Sequence, residues 1–253
     1  MKMHILSGGK LRMNRGVYFP EAENGEKIDL PVNCVLFRHP AGNVLFDTGC
    51  HPSVVEDPEG RWGKMARAMW PIMDANDNLI AELARLQLTP DDIDVVINSH
   101  YHSDHCGCNE FFKKATFFVH EDEFAKVSEP DSIKFGYIPE DWKHPMSLNT
   151  INNQTDIFGD DRIVLLPLPG HTAGMTGAIA NLDKSGSFLL ASDAVSVREN
   201  LDRETIPKTT WNADVLMDSL NEIKRVEKSG ATVICGHDPD QWLQLKKGIE
   251  FYD

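Results

Sequence analysis

The sequence predicts an α/β fold with two sheets sandwiched between outer helices. Three observations carry this. Short apolar runs of strand length recur along the 253 residues, helical amphipathic patterns separate them, and several of the runs stop at a His or Asp. Strands are predicted at Met3–Ser7, Asn33–Arg38 and Asn43–Asp47, the last entering Asp47-Thr48-Gly49. A helix follows over Asn78–Leu88, with Leu79, Ile80, Leu83 and Leu86 on one face. Thr89-Pro90-Asp91-Asp92 breaks it and leads into the run Ile93-Asp94-Val95-Val96-Ile97-Asn98. Later runs are Ile163–Leu166, Phe188–Ala191 and the one ending at Val233-Ile234-Cys235. Between the last two, a helix runs from Asn212 to about Lys228. Its Leu216, Leu220 and Ile223 share a face, Asp214 lies in its first turn, Lys224, Arg225 and Lys228 lie near its end, and Gly230 is placed to cap it. No repeat or low-complexity linker divides the chain.

Composition fits one soluble domain over residues 1–253, with 41% apolar residues to build a core. No apolar stretch approaches a membrane span, and Met1–Gly9 lacks the apolar core of a secretory leader. A formal charge of −14 argues against nucleic acid and anionic membrane as partners. Five cysteines without a disulfide-framework spacing read as reduced thiols in a cytoplasm. Cys106-Gly107-Cys108 reads as small residues packing a tight loop, since C-x-C lacks zinc-ribbon spacing.

The chemistry concentrates in His100-Tyr101-His102-Ser103-Asp104-His105, at the end of a predicted strand. Burying that many polar groups is unfavourable by several kcal/mol unless something pairs with them all. A divalent metal does so, because neutral imidazole and carboxylate oxygen are good ligands for zinc and similar ions. In an extended turn His100 and His102 point the same way and can share one ion, while Asp104 and His105 turn toward a second. His171 in Pro169-Gly170-His171, Asp193 in Ser192-Asp193 and His237 in Gly236-His237-Asp238 each stand at the end of another apolar run. His4, His39, His51, His120 and His144 sit in no such motif and read as surface or packing residues.

These motifs, in this order, resemble the metallo-β-lactamase superfamily and its dinuclear hydrolases. The resemblance implies an αββα sandwich of two mixed sheets flanked by helices. It implies that His100, His102 and His171 hold one metal, that Asp104, His105 and His237 hold another, and that Asp193 bridges. Two divalent ions are expected, zinc first, with Fe, Mn or Co as alternatives.

Peripheral motifs narrow the resemblance to the N-acyl-homoserine-lactone lactonases and γ-butyrolactonases. They are Asp57-Pro58-Glu59-Gly60-Arg61-Trp62-Gly63, Trp70-Pro71-Ile72-Met73-Asp74, Gly236-His237-Asp238-Pro239-Asp240-Gln241-Trp242 and Glu250-Phe251-Tyr252-Asp253. The implied reaction is opening of a small-molecule lactone by hydroxide held between the metals, with Asp104 as general acid–base. One position departs from that branch: Ser196 stands where those lactonases carry a tyrosine three residues after the bridging aspartate. Tyr137 is a candidate replacement donor. Trp70 and Met73 are candidate substrate contacts within the stretch Trp62, Met65, Met69, Trp70 and Met73, which reads equally as helix or flap packing. A thioesterase of the glyoxalase II type, an iron-dependent oxidoreductase and a metal-binding protein of little activity are the competing readings.

Overall fold

The computed structural model describes residues 1–253 and builds two mixed sheets. The first holds β1 (Lys2–Asn14), β2 (Lys27–His39), β3 (Gly42–Phe46), β4 (Trp70–Pro71), β5 (Val95–Ile97), β6 (Thr116–His120) and β7 (Ser147–Ile151), in the order β4-β1-β2-β3-β5-β6-β7. The second holds β8 (Thr155–Asp156), β9 (Ile163–Pro167), β10 (Thr176–Leu182), β11 (Gly186–Ser192) and β12 (Thr232–Cys235), in the order β12-β11-β10-β9-β8. The helices are α1 (Pro58–Trp62), α2 (Leu79–Arg85), α3 (Ser103–Cys106), α4 (Glu121–Val127), α5 (Pro139–Trp142), α6 (Arg198–Arg203), α7 (Ala213–Lys228) and α8 (Pro239–Gln244).

Side-chain alternation along the strands sorts these elements into layers. On β2, Val35 and Phe37 point inward and meet Phe188 and Leu190 of β11 in the core between the sheets. Cys34 and Leu36 point the other way, against Leu79 and Leu83 of α2. On β11, Leu189 and Ala191 face Leu216, Leu220 and Ile223 of α7. The order is therefore helix, sheet, sheet, helix, as expected.

Both predicted helices form, each with an Asn at its N-cap. Asn78 Oδ1 accepts from Ala81 N–H at 3.0 Å, and Asn212 Oδ1 accepts from Asp214 and Val215. The first helix stops at Arg85, three residues early, where Gln87 takes a positive φ of 59°. At the other, Gly230 has φ 108° and closes on Glu227. The expected strands at Met3–Ser7 and Asn33–Arg38 are parts of much longer ones. The β1–β2 register slips between Ser7 and Lys10, a bulge at Gly8-Gly9 that lets the pair continue to Asn14 and Lys27. Pro31 sits at that irregularity, where a residue without an N–H is tolerated. The chain end is stitched to the same sheet: Tyr252 and Met3 exchange backbone bonds, and Asp253 accepts from Lys184 and Ser185. No helix is long and apolar enough to cross a membrane.

Phe37, fully buried, spans the inter-sheet core. Phe37→Ala is expected to lower unfolding free energy by about 3–5 kcal/mol, read from the midpoint of denaturant unfolding.

Candidate metal centre

Strand ends of both sheets meet at one edge and deliver the polar groups. His100 and His102 follow β5, and Ser103–Cys106 then winds into α3, which turns Asp104 and His105 away from them. His171 follows β9, Asp193 follows β11 and His237 follows β12. Two turns are strained to make this placement. Asp47, past β3, has φ 61°, and Ser192, just before Asp193, has φ 45°. Gly236 permits the closest approach, since a Cβ there would lie 2.5 Å from Asp193 Oδ1.

The donors form two adjoining groups. His102 Nδ1 lies 3.0 Å from His100 Nε2 and 3.1 Å from His171 Nε2. His105 Nε2 lies 3.2 Å from His237 Nε2, and Asp104 Oδ2 is 3.6 Å from each of those nitrogens. Asp193 faces both groups, with Oδ2 at 3.3 Å from His171 Nε2 and Oδ1 at 2.8 Å from His237 Nε2. Donors about 2.0–2.1 Å from a tetrahedral ion stand about 3.3 Å apart, close to these separations.

Hydrogen bonds at the outer ring nitrogens hold four of the five rings in place. His105 Nδ1–H donates to Asp47 Oδ2 at 2.9 Å, and His237 Nδ1–H to the Pro31 carbonyl at 2.8 Å. His102 Nε2–H donates to the Phe135 carbonyl at 3.0 Å. Ser99 Oγ–H donates to Asp47 Oδ2 at 2.7 Å, leaving its oxygen to accept from His100 Nδ1–H at 2.9 Å. These four rings are thereby held with the other nitrogen turned inward, while His171 Nδ1 has no partner. Asp193 Oδ1, though buried, has no hydrogen-bond partner. Converging lone pairs with a buried carboxylate between them fit two divalent cations.

Electrostatics separates the two groups. Burial pushes the His171 imidazole down to about 3 and holds His100 well below its ordinary value, so both are neutral ligands at neutral pH. At His105 burial opposes charge, yet Asp104, Asp47 and Asp193 prevail and push it up to about 10. His237 is raised in the same way, against burial, by Asp193 and Asp104. Asp193 itself is held well below the carboxylate range: burial resists, but His237 and His171 outweigh it.

Two supporting carboxylates were not singled out from sequence. Asp47 carries Ser99 and His105, and its only sequence signal is a strand ending in Asp-Thr-Gly. Glu123 is fully buried in α4. Its Oε1 accepts from Tyr101 N–H, between two histidines, at 3.0 Å, and its Oε2 from Gly174 N–H at 3.2 Å. It ties the loop after β5 to the loop after β9; a lone Glu in an acidic helix start gives no hint of this.

The other candidates lie as follows. Tyr137 packs against His102, buried with its ring tilted against the imidazole, centroids 5.3 Å apart, and its hydroxyl toward Glu123 and Thr172. Ser196 is buried, and its hydroxyl finds no partner. Met73 packs under Trp62 and Met69, against Gly9. Trp70 lies half exposed on the edge strand β4. The thiols of Cys106 and Cys108 are buried, and burial raises both, which suits packing and not redox chemistry.

A family model for the metallo-beta-lactamase superfamily matches residues 28–237, and the chain belongs to that superfamily. Within it, the chain is similar over its whole length to particular enzymes. It is 31% identical to N-acyl homoserine lactonase AttM of Azorhizobium caulinodans, covering 100% of this chain and 99% of that protein. It is likewise 31% identical to N-acyl homoserine lactonase AiiB of Agrobacterium fabrum, with the same coverage. Among solved structures, an N-acyl homoserine lactone hydrolase with N-hexanoyl-L-homoserine bound at its catalytic metal centre superposes with a TM-score of 0.90. It shares 25% identity over 99% of this chain and 98% of that one.

The split in histidine charge has a measurable consequence. Rings raised above neutrality must lose protons before they can ligate, so zinc added to metal-free protein at pH 7 is expected to release protons on filling the His105–His237 group. His100 and His171 should release none, and affinity of the His105–His237 group should rise with pH. Calorimetry in buffers of different ionisation enthalpy reads this directly. Glu123→Gln sets an amide N–H against a backbone N–H, and should weaken retention of one metal about tenfold or more under chelator challenge.

Proposed function

We propose that residues 1–253 form one metal-dependent hydrolase domain that opens lactone rings, with N-acyl homoserine lactones and γ-butyrolactone as the substrates to try first. The observation that carries this reading is the pair of donor groups joined by Asp193, in a chain matched end to end by named lactonases. On this reading His100, His102 and His171 hold one ion, Asp104, His105 and His237 the other, and Asp193 bridges. Zinc suits the imidazole-rich donor set best. The five buried free thiols suit a reducing cytoplasm. Hydrolysis of acyl homoserine lactones would make this a quorum-quenching enzyme.

Two bound divalent ions supply Lewis acidity at the carbonyl and a water of near-neutral pKa. The residues do the rest. Asp193 and the rings behind it fix the spacing of the two positions, and Asp47 and Pro31 stop His105 and His237 from rotating away. Asp104 reaches both rings of the second group through Oδ2 from the first turn of α3. Its carboxylate takes the proton of the attacking water and returns it to the ring oxygen as the ester bond breaks.

Asp104→Asn cannot relay that proton. It is expected to keep some metal and lose turnover by a factor of about 100 or more, measured with a pH indicator on lactones and thioesters side by side. Activity near wild type would remove Asp104 from the mechanism, and thioester turnover without lactone turnover would replace the lactonase reading.

A further inference from the structure

Ester opening builds negative charge on oxygen, and a donor aimed at that oxygen is a large part of catalysis in such sites. Most hydroxyls around the donor groups are committed elsewhere. Ser99 and Ser192 are bonded beneath Asp47, and Tyr137 is directed at Glu123. Ser196 is short and buried.

Tyr18 is different. It follows the turn after β1, is 4% exposed, and its hydroxyl meets only a thioether, Met13 Sδ at 3.3 Å. A buried phenol with so weak an acceptor has a hydrogen bond left to give. Its backbone is held firmly: Asn200 Nδ2 donates to the Tyr18 carbonyl at 3.0 Å, and Lys208 N–H to the Val17 carbonyl at 2.8 Å. The ring packs with Leu30 and Val197. These are the chain neighbours of Pro31 and Ser196, whose carbonyls accept from His237 Nδ1–H at 2.8 Å and His237 N–H at 2.7 Å. Met13 in turn packs against both the Tyr18 cluster and the cluster of Trp62, Met69 and Met73. Tyr18 thus packs on the two segments that hold His237, Leu30-Pro31 and Ser196-Val197, and Met13 links it to the Trp62 cluster.

We propose that Tyr18 is a catalytic residue, donating its phenolic hydrogen bond to the substrate oxygen on which charge develops. Burial, then the carboxylates of Asp193 and Asp104, raise the phenol further above its ordinary value, so it stays a protonated donor across the working pH range. The role rests on the hydrolase reading above, but not on the substrate being a lactone.

Tyr18→Phe removes one oxygen and keeps the ring. The test compares this variant with wild type, both carrying full metal by elemental analysis, for kcat and KM on γ-butyrolactone, N-hexanoyl homoserine lactone and a thioester. The expected result is unchanged metal content and melting temperature, KM within a fewfold, and kcat lower by about a hundredfold. Wild-type kcat in the variant overturns the proposal, as does a loss explained by lost metal or a lowered melting temperature. If the wild type acts only on the thioester, the lactonase reading fails while the same kcat ratio, read on the thioester, still decides Tyr18. A wild type inert to all three overturns both.

Discussion

Mutual repulsion among inward-facing lone pairs governs this structure. Five imidazole nitrogens and two carboxylates are held within a few ångströms of one another, away from water, and the fold is arranged to prevent their escape. The outer nitrogens of His100, His105 and His237 are bonded to buried groups, and that of His102 to the carbonyl of half-exposed Phe135. Such an arrangement is unfavourable in a metal-free chain, and protons on His105 and His237 relieve it only in part. Cations relieve it fully, which makes metal binding and tertiary stability two sides of one equilibrium.

The architecture serves this constraint. Strands bring backbone to the edge where the sheets meet, and the turns beyond them complete the aim. Asp47 shows how economical the support is, one carboxylate fixing Ser99, and through it His100, as well as His105. That carboxylate serves histidines of both donor groups, so the two share one support. Glu123 performs the corresponding task for the loops after β5 and β9.

Much of this was legible in the sequence, for definite reasons. His100, His102, Asp104 and His105 are crowded into six residues, and His171, Asp193 and His237 each terminate an apolar run that the sandwich buries. Helix α7 was plain because its stripe and both caps agree. What stayed hidden lacked local periodicity or depended on partners far away. The edge strand β7 buries only Ile151 fully, so no alternation marks it. Glu123 gains its meaning from Tyr101 and Gly174, and Tyr18 from Leu30 and Val197, contacts that sequence spacing does not encode. Tyr137 lies against His102, a contact that no local pattern announces.

The acceptor that orients His237 belongs to the main chain of Pro31, at the irregular stretch of the long hairpin. An oxygen of the backbone is present whatever residue occupies the position, so point mutation at 31 cannot delete it. Only a slip in strand pairing would carry it out of reach. The side chain at 31 can therefore vary while the orientation of this ring is inherited with the hairpin itself.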